Sequence, residues 1–225
     1  MHIANKRNYL SDIVKIMHTH WPNNRTINIV CHGHSVPAGY FATPFVDTFN
    51  AYPHILHKLL KERFPFAVIN VIVTAIGGEN SESGAKRFQR EVLCHRPDVI
   101  TIDYGLNDRG IGLDKARTNW KEMIEKGLSS NTKIILLTPT FDLTCDNTLP
   151  QSAEQKTLLH HAEQIRQLAA EYSIGLADSY SAFENYCKTF DISNLLSWCN
   201  HPNYNGHKLV ANEILQWFPA HINVP

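Results

Sequence analysis

Short apolar runs rich in β-branched residues recur along the chain, and polar segments containing glycine, proline or asparagine separate them. The runs cover residues 27–31, 67–75, 98–104, 132–140 and, more weakly, 173–178. Apolar runs of this kind, bounded by turn residues, are typical of strands that are buried on both faces of a sheet. The pattern therefore predicts five buried strands.

Between these runs, apolar residues recur at spacings near 3.6, which is the period of an amphipathic helix. The period is clearest over residues 52–64 and 158–172. Alternating strands and helices are joined by right-handed crossovers, which place helices on both faces of a parallel sheet. We expect one α/β domain over residues 1–225, built as a three-layer α/β/α sandwich around a central, mostly parallel five-stranded sheet. A helical extension is expected over about residues 1–25.

Charge and cysteine content exclude several classes of function. Acidic and basic residues number 21 each, so the chain lacks the electrostatic footprint of a protein that binds nucleic acid or an anionic membrane. Its first residues do not read as a signal peptide, and no apolar run reaches transmembrane length. The five cysteines are scattered and without CxxC spacing, which argues against a disulfide framework. We expect a cytoplasmic protein with no nucleic-acid or membrane partner.

Ser35 follows the first predicted strand, at the carboxyl edge of the sheet where ligands of such folds bind. A serine at this turn is exposed as a nucleophile must be, but it is also a common helix cap. The G-x-S-x-G pattern of α/β-hydrolases is absent, because Pro37 stands in place of its second glycine. Both interpretations of Ser35 therefore stay open at this point.

Three more polar positions belong to the same edge. Gly77 and Gly78 follow the second strand, either as a turn or as bare backbone N–H groups that face an anion. Asn107 follows the third strand, either as a turn residue or as a side-chain donor to an oxyanion. His201 precedes the final amphipathic helix, where a histidine is either a surface residue or a base that reaches over the edge.

Together these positions supply a nucleophile, two oxyanion donors and a base. Their order along nearly the whole chain resembles the four sequence blocks of the SGNH hydrolase superfamily, also called the GDSL esterases and lipases. The resemblance implies a flavodoxin-like fold and a serine esterase that needs no cofactor. It implies Ser35 as nucleophile, His201 as general base, and an oxyanion hole formed by Asn107 and the N–H groups of Ser35 and Gly78. Gly77 is the alternative to Gly78.

Two positions depart from the family pattern. The first block usually reads Gly-Asp-Ser, and here His34 replaces the aspartate. The acid of the triad usually lies three residues before the histidine, and here Trp198 occupies that place. Some relatives use a backbone carbonyl instead of the acid. We therefore predict that a carbonyl near Trp198 holds the Nδ1 proton of His201, with the side chains of Asn194 and Asp191 as alternatives.

Histidine pairs raise the question of a metal. His32 and His34 form a His-x-His pair, but two histidines are only part of a zinc site, and no HExxH motif or carboxylate cluster completes it. The neighbouring His160 and His161 lie in a helical pattern and are interpreted as part of a solvated face. We expect no metal.

The substrate is specified less well by the sequence. Tyr40, Arg109 and Trp198 are candidates to line the substrate pocket. No long apolar insertion offers a lid for lipid, so the prediction is a small-molecule or carbohydrate ester with a short acyl group, such as acetyl on a sugar. The alternative is a carbohydrate- or lipid-binding module that keeps the fold without catalysis, which Trp198 in place of the acid suggests. The oligomeric state stays open.

Overall fold

The computed structural model of the chain describes residues 2–145 and 153–220. The strands in this part are β1 (Thr26–Gly33), β2 (Tyr40–Ala42), β3 (Phe45–Val46), β4 (Val68–Val73), β5 (Val99–Asp103), β6 (Lys133–Leu137), β7 (Gly175–Ala177), β8 (Leu196–Trp198) and β9 (His201–Pro202). The α-helices are α1 (Ser11–Met17), α2 (Ser35–Ala38), α3 (Tyr52–Arg63), α4 (Ser81–Glu91), α5 (Leu113–Ser129), α6 (Ala153–Glu171), α7 (Ser179–Cys187) and α8 (Tyr204–Leu215).

Five strands form one all-parallel sheet in the order β4-β1-β5-β6-β7. Helices α3, α7 and α8 pack together as one layer, and α4, α5 and α6 form the other. The predicted three-layer α/β/α fold is therefore confirmed. All five residues of the central strand β5 are buried, whereas burial alternates at the start of the edge strand β4. The continuous apolar runs thus follow from helices covering both faces of the sheet.

The carboxyl ends of β1 and β5 lie side by side, and Gly33 pairs with Asp103 in the ladder. A Cβ atom at Gly33 would lie 2.5 Å from the carbonyl oxygen of Asp103 and 2.8 Å from the ring of Pro37. Only glycine therefore fits where these chains approach. This close approach fixes the position of the two residues that follow Gly33, which carry most of the site.

Within the expected N-terminal helical extension, the helix itself covers Ser11–Met17. Leu10, Val14 and Met17 belong to the hydrophobic core, so this segment packs against the sandwich. In the described ranges, no helix combines the length and the apolar character that crossing a lipid bilayer requires.

Candidate active site

Ser35 opens the four-residue helix α2 directly after strand β1. The Val36 N–H donates to Nδ1 of His34 at 3.3 Å, so His34 caps this helix. The capping function that the sequence left open for Ser35 therefore belongs to its neighbour. Gly39 ends the helix in the left-handed region at φ 91°, which turns the chain toward β2.

His201 reaches Ser35 from the opposite end of the chain. It lies in β9 of the β8–β9 hairpin, and its Nε2 is 2.9 Å from the Ser35 Oγ. Burial, and to a lesser extent the neighbouring His34, lowers the pKa of His201 below its ordinary value. The imidazole is therefore neutral at neutral pH, which is the form that accepts a proton from a hydroxyl group.

The expected acceptor for Nδ1 of His201 is not found in the described part of the chain, where this buried atom has no hydrogen-bond partner. The Asp191 carboxylate instead accepts from the Ser193 N–H at 2.7 Å, and the carbonyl of Asn194 accepts from the side chain of Asn203 at 3.0 Å. The prediction of a carbonyl or side-chain acceptor is therefore not met.

The ring of His201 packs instead against the ring of Tyr40. Their centroids are 6.1 Å apart, and the ring planes are inclined by 28°. Tyr40 belongs to the β2–β3 hairpin, so packing against this hairpin restrains the imidazole on the side of the cavity.

The oxyanion donors that the sequence predicts lie at the ends of β4 and β5. Gly78 has φ 80°, a conformation that favours glycine, and a Cβ atom at Gly77 would lie 2.8 Å from the ring of Tyr40. Each glycine is thus required for a different reason. Among the described residues, the N–H groups of Ser35 and Gly78 donate to no other group, which leaves both available to a ligand.

Asn107 begins a 3₁₀ turn, which a short connection joins to the end of β5. Its Nδ2 donates to the carbonyl oxygen of Glu79 at 2.7 Å, so one amide hydrogen is used and the other remains. The bond ties the amide to the loop that carries Gly78. Two of the candidate oxyanion donors are therefore held in a fixed relation to each other.

The buried carboxylate of Asp108 stabilises the same loop through hydrogen bonds. Its carboxylate accepts from the Ser81 N–H at 2.8 Å and from the indole N–H of Trp120 at 2.6 Å. Asn80 caps helix α4 by accepting from the N–H groups of the first turn. Burial raises the pKa of Asp108 above its ordinary value. The loop next to Asn107 is thus stabilised by a buried carboxylate that accepts two hydrogen bonds.

A cavity of about 380 Å³ joins these groups. Its lining consists of Ser35, Tyr40, Thr43, Gly77, Gly78, Asn107, Asn200 and His201. The structure thus brings the predicted catalytic residues and Tyr40 together. It adds two residues that the sequence analysis missed, namely Asn200, whose only signal is its place beside the base, and Thr43, which carries no signal.

Two predicted substrate residues lie outside this lining. Arg109 pairs with Asp142 at 2.6 Å, which directs its guanidinium group away from the cavity residues. Trp198 faces His201 across the β8–β9 hairpin and is 62% exposed. With Leu143, Leu196 and others it lines a separate apolar depression of about 270 Å³.

The two histidines of the His-x-His pair occupy different surroundings. Nδ1 of His32 contacts the hydroxyl of Thr74 at 3.0 Å, and its Nε2 contacts the carbonyl of Gly84 at 3.2 Å. Both ring nitrogens therefore already have hydrogen-bond partners within the protein. Burial lowers its pKa to about 3. His34 lies 3.3 Å from the Ser35 Oγ through Nδ1, and its Nε2 is 3.4 Å from the Asp103 carboxylate. In the ranges described, no group of three or more His, Cys, Asp or Glu residues is arranged to hold a metal ion.

Known proteins resemble this chain in sequence and in fold. An acetylxylan esterase from Geobacillus stearothermophilus is 23% identical over 171 residues, covering 70% of this chain and 76% of that protein. The crystal structure of an acetylxylan esterase from the same organism matches with a TM-score of 0.74 at 21% identity, covering 85% of this chain and 94% of the other. An α/β hydrolase enzyme from the metagenome of Lake Arreo, Spain, also has a TM-score of 0.74, at 22% identity and with coverage of 90% and 97%.

Solved structures of the Geobacillus esterase include catalytic mutants of a serine, an aspartate and a histidine, and in that protein the aspartate lies three residues before the histidine. The corresponding distance from His201 leads to Trp198 in this chain. The sequence profile of the GDSL-like lipase/acylhydrolase family matches residues 31–209, which is most of the chain. The chain therefore belongs to the GDSL-like lipase/acylhydrolase family of SGNH hydrolases and is a carboxylic ester hydrolase.

Proposed function

We propose that the protein hydrolyses short acyl esters through an acyl-enzyme formed on Ser35, with His201 as the general base. The observation that carries this proposal is the 2.9 Å contact between the Ser35 Oγ and the His201 Nε2, at a cavity that also exposes Gly78 and Asn107. A hydroxyl within hydrogen-bonding distance of a neutral imidazole is the arrangement that activates a serine nucleophile.

In the first half of the reaction, His201 takes the hydroxyl proton while the Ser35 Oγ attacks the ester carbonyl. The oxyanion that forms accepts hydrogen bonds from the Ser35 N–H, the Gly78 N–H and the free amide hydrogen of Asn107. The protonated His201 then gives its proton to the leaving alcohol, and the acyl group stays on Ser35. In the second half, water attacks the acyl carbon while His201 takes one of its protons. The bond from that carbon to the Ser35 Oγ then breaks, His201 returns the proton to Oγ, and the carboxylic acid leaves.

A small acyl group fits the size and character of the cavity. Its volume of about 380 Å³ is small, and the side chains of Thr43, Asn107 and Asn200 supply polar groups to its lining. A similar protein is an acetylxylan esterase. We infer that the substrate is an acetyl ester of a carbohydrate, whose hydroxyl groups the polar lining can bind.

The test compares acetate release from acetylated xylo-oligosaccharides with hydrolysis of p-nitrophenyl esters from acetyl to long acyl chains. Turnover is expected to be highest with acetyl and to fall with chain length. Ser35→Ala should lower turnover by about 10⁴- to 10⁶-fold, because both halves of the reaction use this hydroxyl. Ser83→Ala, in an exposed position of helix α4, is the matched control and should leave turnover unchanged.

A fluorophosphonate probe separates this function from the non-catalytic alternative. The wild-type protein should be labelled at Ser35, and Ser35→Ala should not be labelled. Binding of acetylated oligosaccharides without labelling or turnover would instead identify a carbohydrate-binding module on the same fold.

A further inference from the structure

Ser35 has a second imidazole at its hydroxyl group. The Nδ1 atom of His34 is 3.3 Å from the Ser35 Oγ, and the other ring nitrogen of His34 is 3.4 Å from the carboxylate of Asp103. His34 is 1% exposed and Asp103 is 3% exposed. Carboxylate, imidazole and hydroxyl thus follow one another in the order that a serine triad requires. Neither His34 nor Asp103 belongs to the lining of the cavity.

The hydrogen bond that caps helix α2 fixes the tautomer of His34. Since the Val36 N–H donates to Nδ1, this nitrogen carries a lone pair and no proton. The one proton of the neutral ring is then on Nε2, which faces Asp103. At 3.4 Å this contact is longer than an ordinary hydrogen bond, so it is an electrostatic contact between the ring N–H and the carboxylate. His34 is therefore held in the form that accepts a proton at the side of Ser35.

Asp103 is a buried carboxyl group close to the hydroxyl group of Tyr52. Burial, and next the negative charge of Asp103, raises the pKa of the Tyr52 phenol well above its ordinary value. The hydroxyl group of Tyr52 is buried beside this carboxylate and can serve it as a donor. A carboxylate in such surroundings stabilises a neighbouring imidazolium more than a solvated one does.

From these contacts we propose that His34 is a second proton acceptor for Ser35 and that Asp103 is its positioning residue. The inference rests on the proposed function, because it concerns the acylation of Ser35. His34 cannot reach a leaving group or a water molecule in the cavity, since it does not line it. It therefore replaces His201 only where the leaving group needs no proton.

The acylation step with p-nitrophenyl acetate illustrates this division. The Ser35 Oγ forms a bond to the carbonyl carbon, and its proton passes to Nδ1 of His34, which becomes an imidazolium beside Asp103. The bond from the carbonyl carbon to the aryl oxygen breaks, and p-nitrophenolate leaves with the electron pair. Because Val36 shares the lone pair of Nδ1, His34 is the weaker acceptor of the two histidines, and this acylation is slower than the one that His201 drives.

The experiment mixes His201→Ala with p-nitrophenyl acetate in a stopped-flow instrument. We expect a single burst of about one equivalent of p-nitrophenolate, an added acetyl group on Ser35 in the intact mass, and almost no later turnover. His201→Ala/His34→Asn should slow the burst by about 10²-fold, because general base catalysis contributes at least this factor. Asparagine is a favourable N-cap, so this variant keeps the cap of helix α2.

His201→Ala/Asp103→Asn tests the positioning residue separately and should slow the burst by about tenfold or more. It also decides the matter if the His34 variant fails to fold. His201→Ala/His160→Asn, altered at an exposed histidine of helix α6, is the control and should react like His201→Ala alone.

Wild-type turnover without any burst in His201→Ala would overturn the inference and leave the proposed function standing. An equal burst rate in His201→Ala and His201→Ala/His34→Asn would overturn it as well, because bulk solvent would then be the acceptor. Absence of turnover in the wild-type protein would overturn the proposed function and this inference with it.

Discussion

The two imidazoles at Ser35 lie in contrasting surroundings. His201 is carried by a two-residue strand outside the main sheet and faces the cavity, and its Nδ1 has no partner among the described residues. His34 follows a central strand, is buried, and has Asp103 beside it. The carboxylate therefore lies beside the histidine that does not line the cavity. Contact with the cavity and contact with a buried carboxylate, which a triad combines in one histidine, are thus divided here between two.

The strongest test of this contrast is the loss of the imidazole that faces the cavity. His201→Ala should lower turnover of an acetylated sugar by about 10⁴-fold or more, because the sugar alkoxide needs a proton that His34 cannot deliver. Acetate release measured over hours would check this result. A loss of less than tenfold would show that another group in the cavity acts as acid and base.

Asn107, the proposed oxyanion donor that lines the cavity with His201, should have a smaller effect. Asn107→Ala is expected to lower kcat by about 10²- to 10³-fold with little change in KM, because its hydrogen bond strengthens in the transition state. Steady-state kinetics with p-nitrophenyl acetate give both constants. A change confined to KM would instead make Asn107 a residue that binds the substrate.

Substitution of the buried His34 should affect normal turnover less than Asn107→Ala does. With His201 intact, His34→Asn is expected to change kcat for an acetylated sugar by less than about twofold, because His201 drives the faster acylation and His34 serves only leaving groups that need no proton. The thermal midpoint of the variant, measured in parallel, separates any loss from unfolding. A loss of tenfold or more in a folded variant would contradict the restriction of His34 to leaving groups that need no proton.

The pH profile should also respond to the same variant. His201 acts in its neutral form, so activity is lost as pH falls through its pKa, which lies below the ordinary value mainly because of burial. His34 adds to this lowering, because two neighbouring imidazoles disfavour each other's charged forms. His34→Asn should therefore move the acidic limb of the kcat/KM profile to higher pH, and a move to lower pH would contradict this sign.

The smallest effect is expected at the short 3₁₀ turn that precedes the β8–β9 hairpin. Asp191→Asn should change turnover by less than about twofold, because the carboxylate caps a short turn and does not reach His201. The same steady-state assay checks this. A loss as large as that of His201→Ala would show that Asp191 supplies the missing acid after a rearrangement of the hairpin.

The parts of this molecule that local patterns specify were predictable from the sequence. Each of the five apolar runs coincides with one strand of the sheet, although β1 extends beyond its run at both ends, and the cavity lies where those strands end. Ser35, Gly78, Asn107 and His201 follow from that rule together with the family resemblance. Parallel strands place their carboxyl ends at one edge, so positions far apart in the chain meet there.

Long-range pairing of polar groups was not predictable in the same way. Asp103 belongs to an apolar run, and its contact with His34 depends on the register between β1 and β5. The interpretation of His161 as part of a solvated face is wrong, since it is 1% exposed, and burial lowers its pKa to about 4. A helical period alone does not say how far the buried face of a helix extends around its axis.

The contact between His34 and Asp103 also restricts the order in which sequence changes can accumulate. His34→Asp would restore the Gly-Asp-Ser block that the family usually has, but it would set a second carboxylate against Asp103 in a buried site. Two adjacent buried carboxylates do not both stay ionised, so one would have to take up a proton. A change of position 34 to aspartate is therefore coupled to position 103, and a designer who makes it has to change the other residue in the same step.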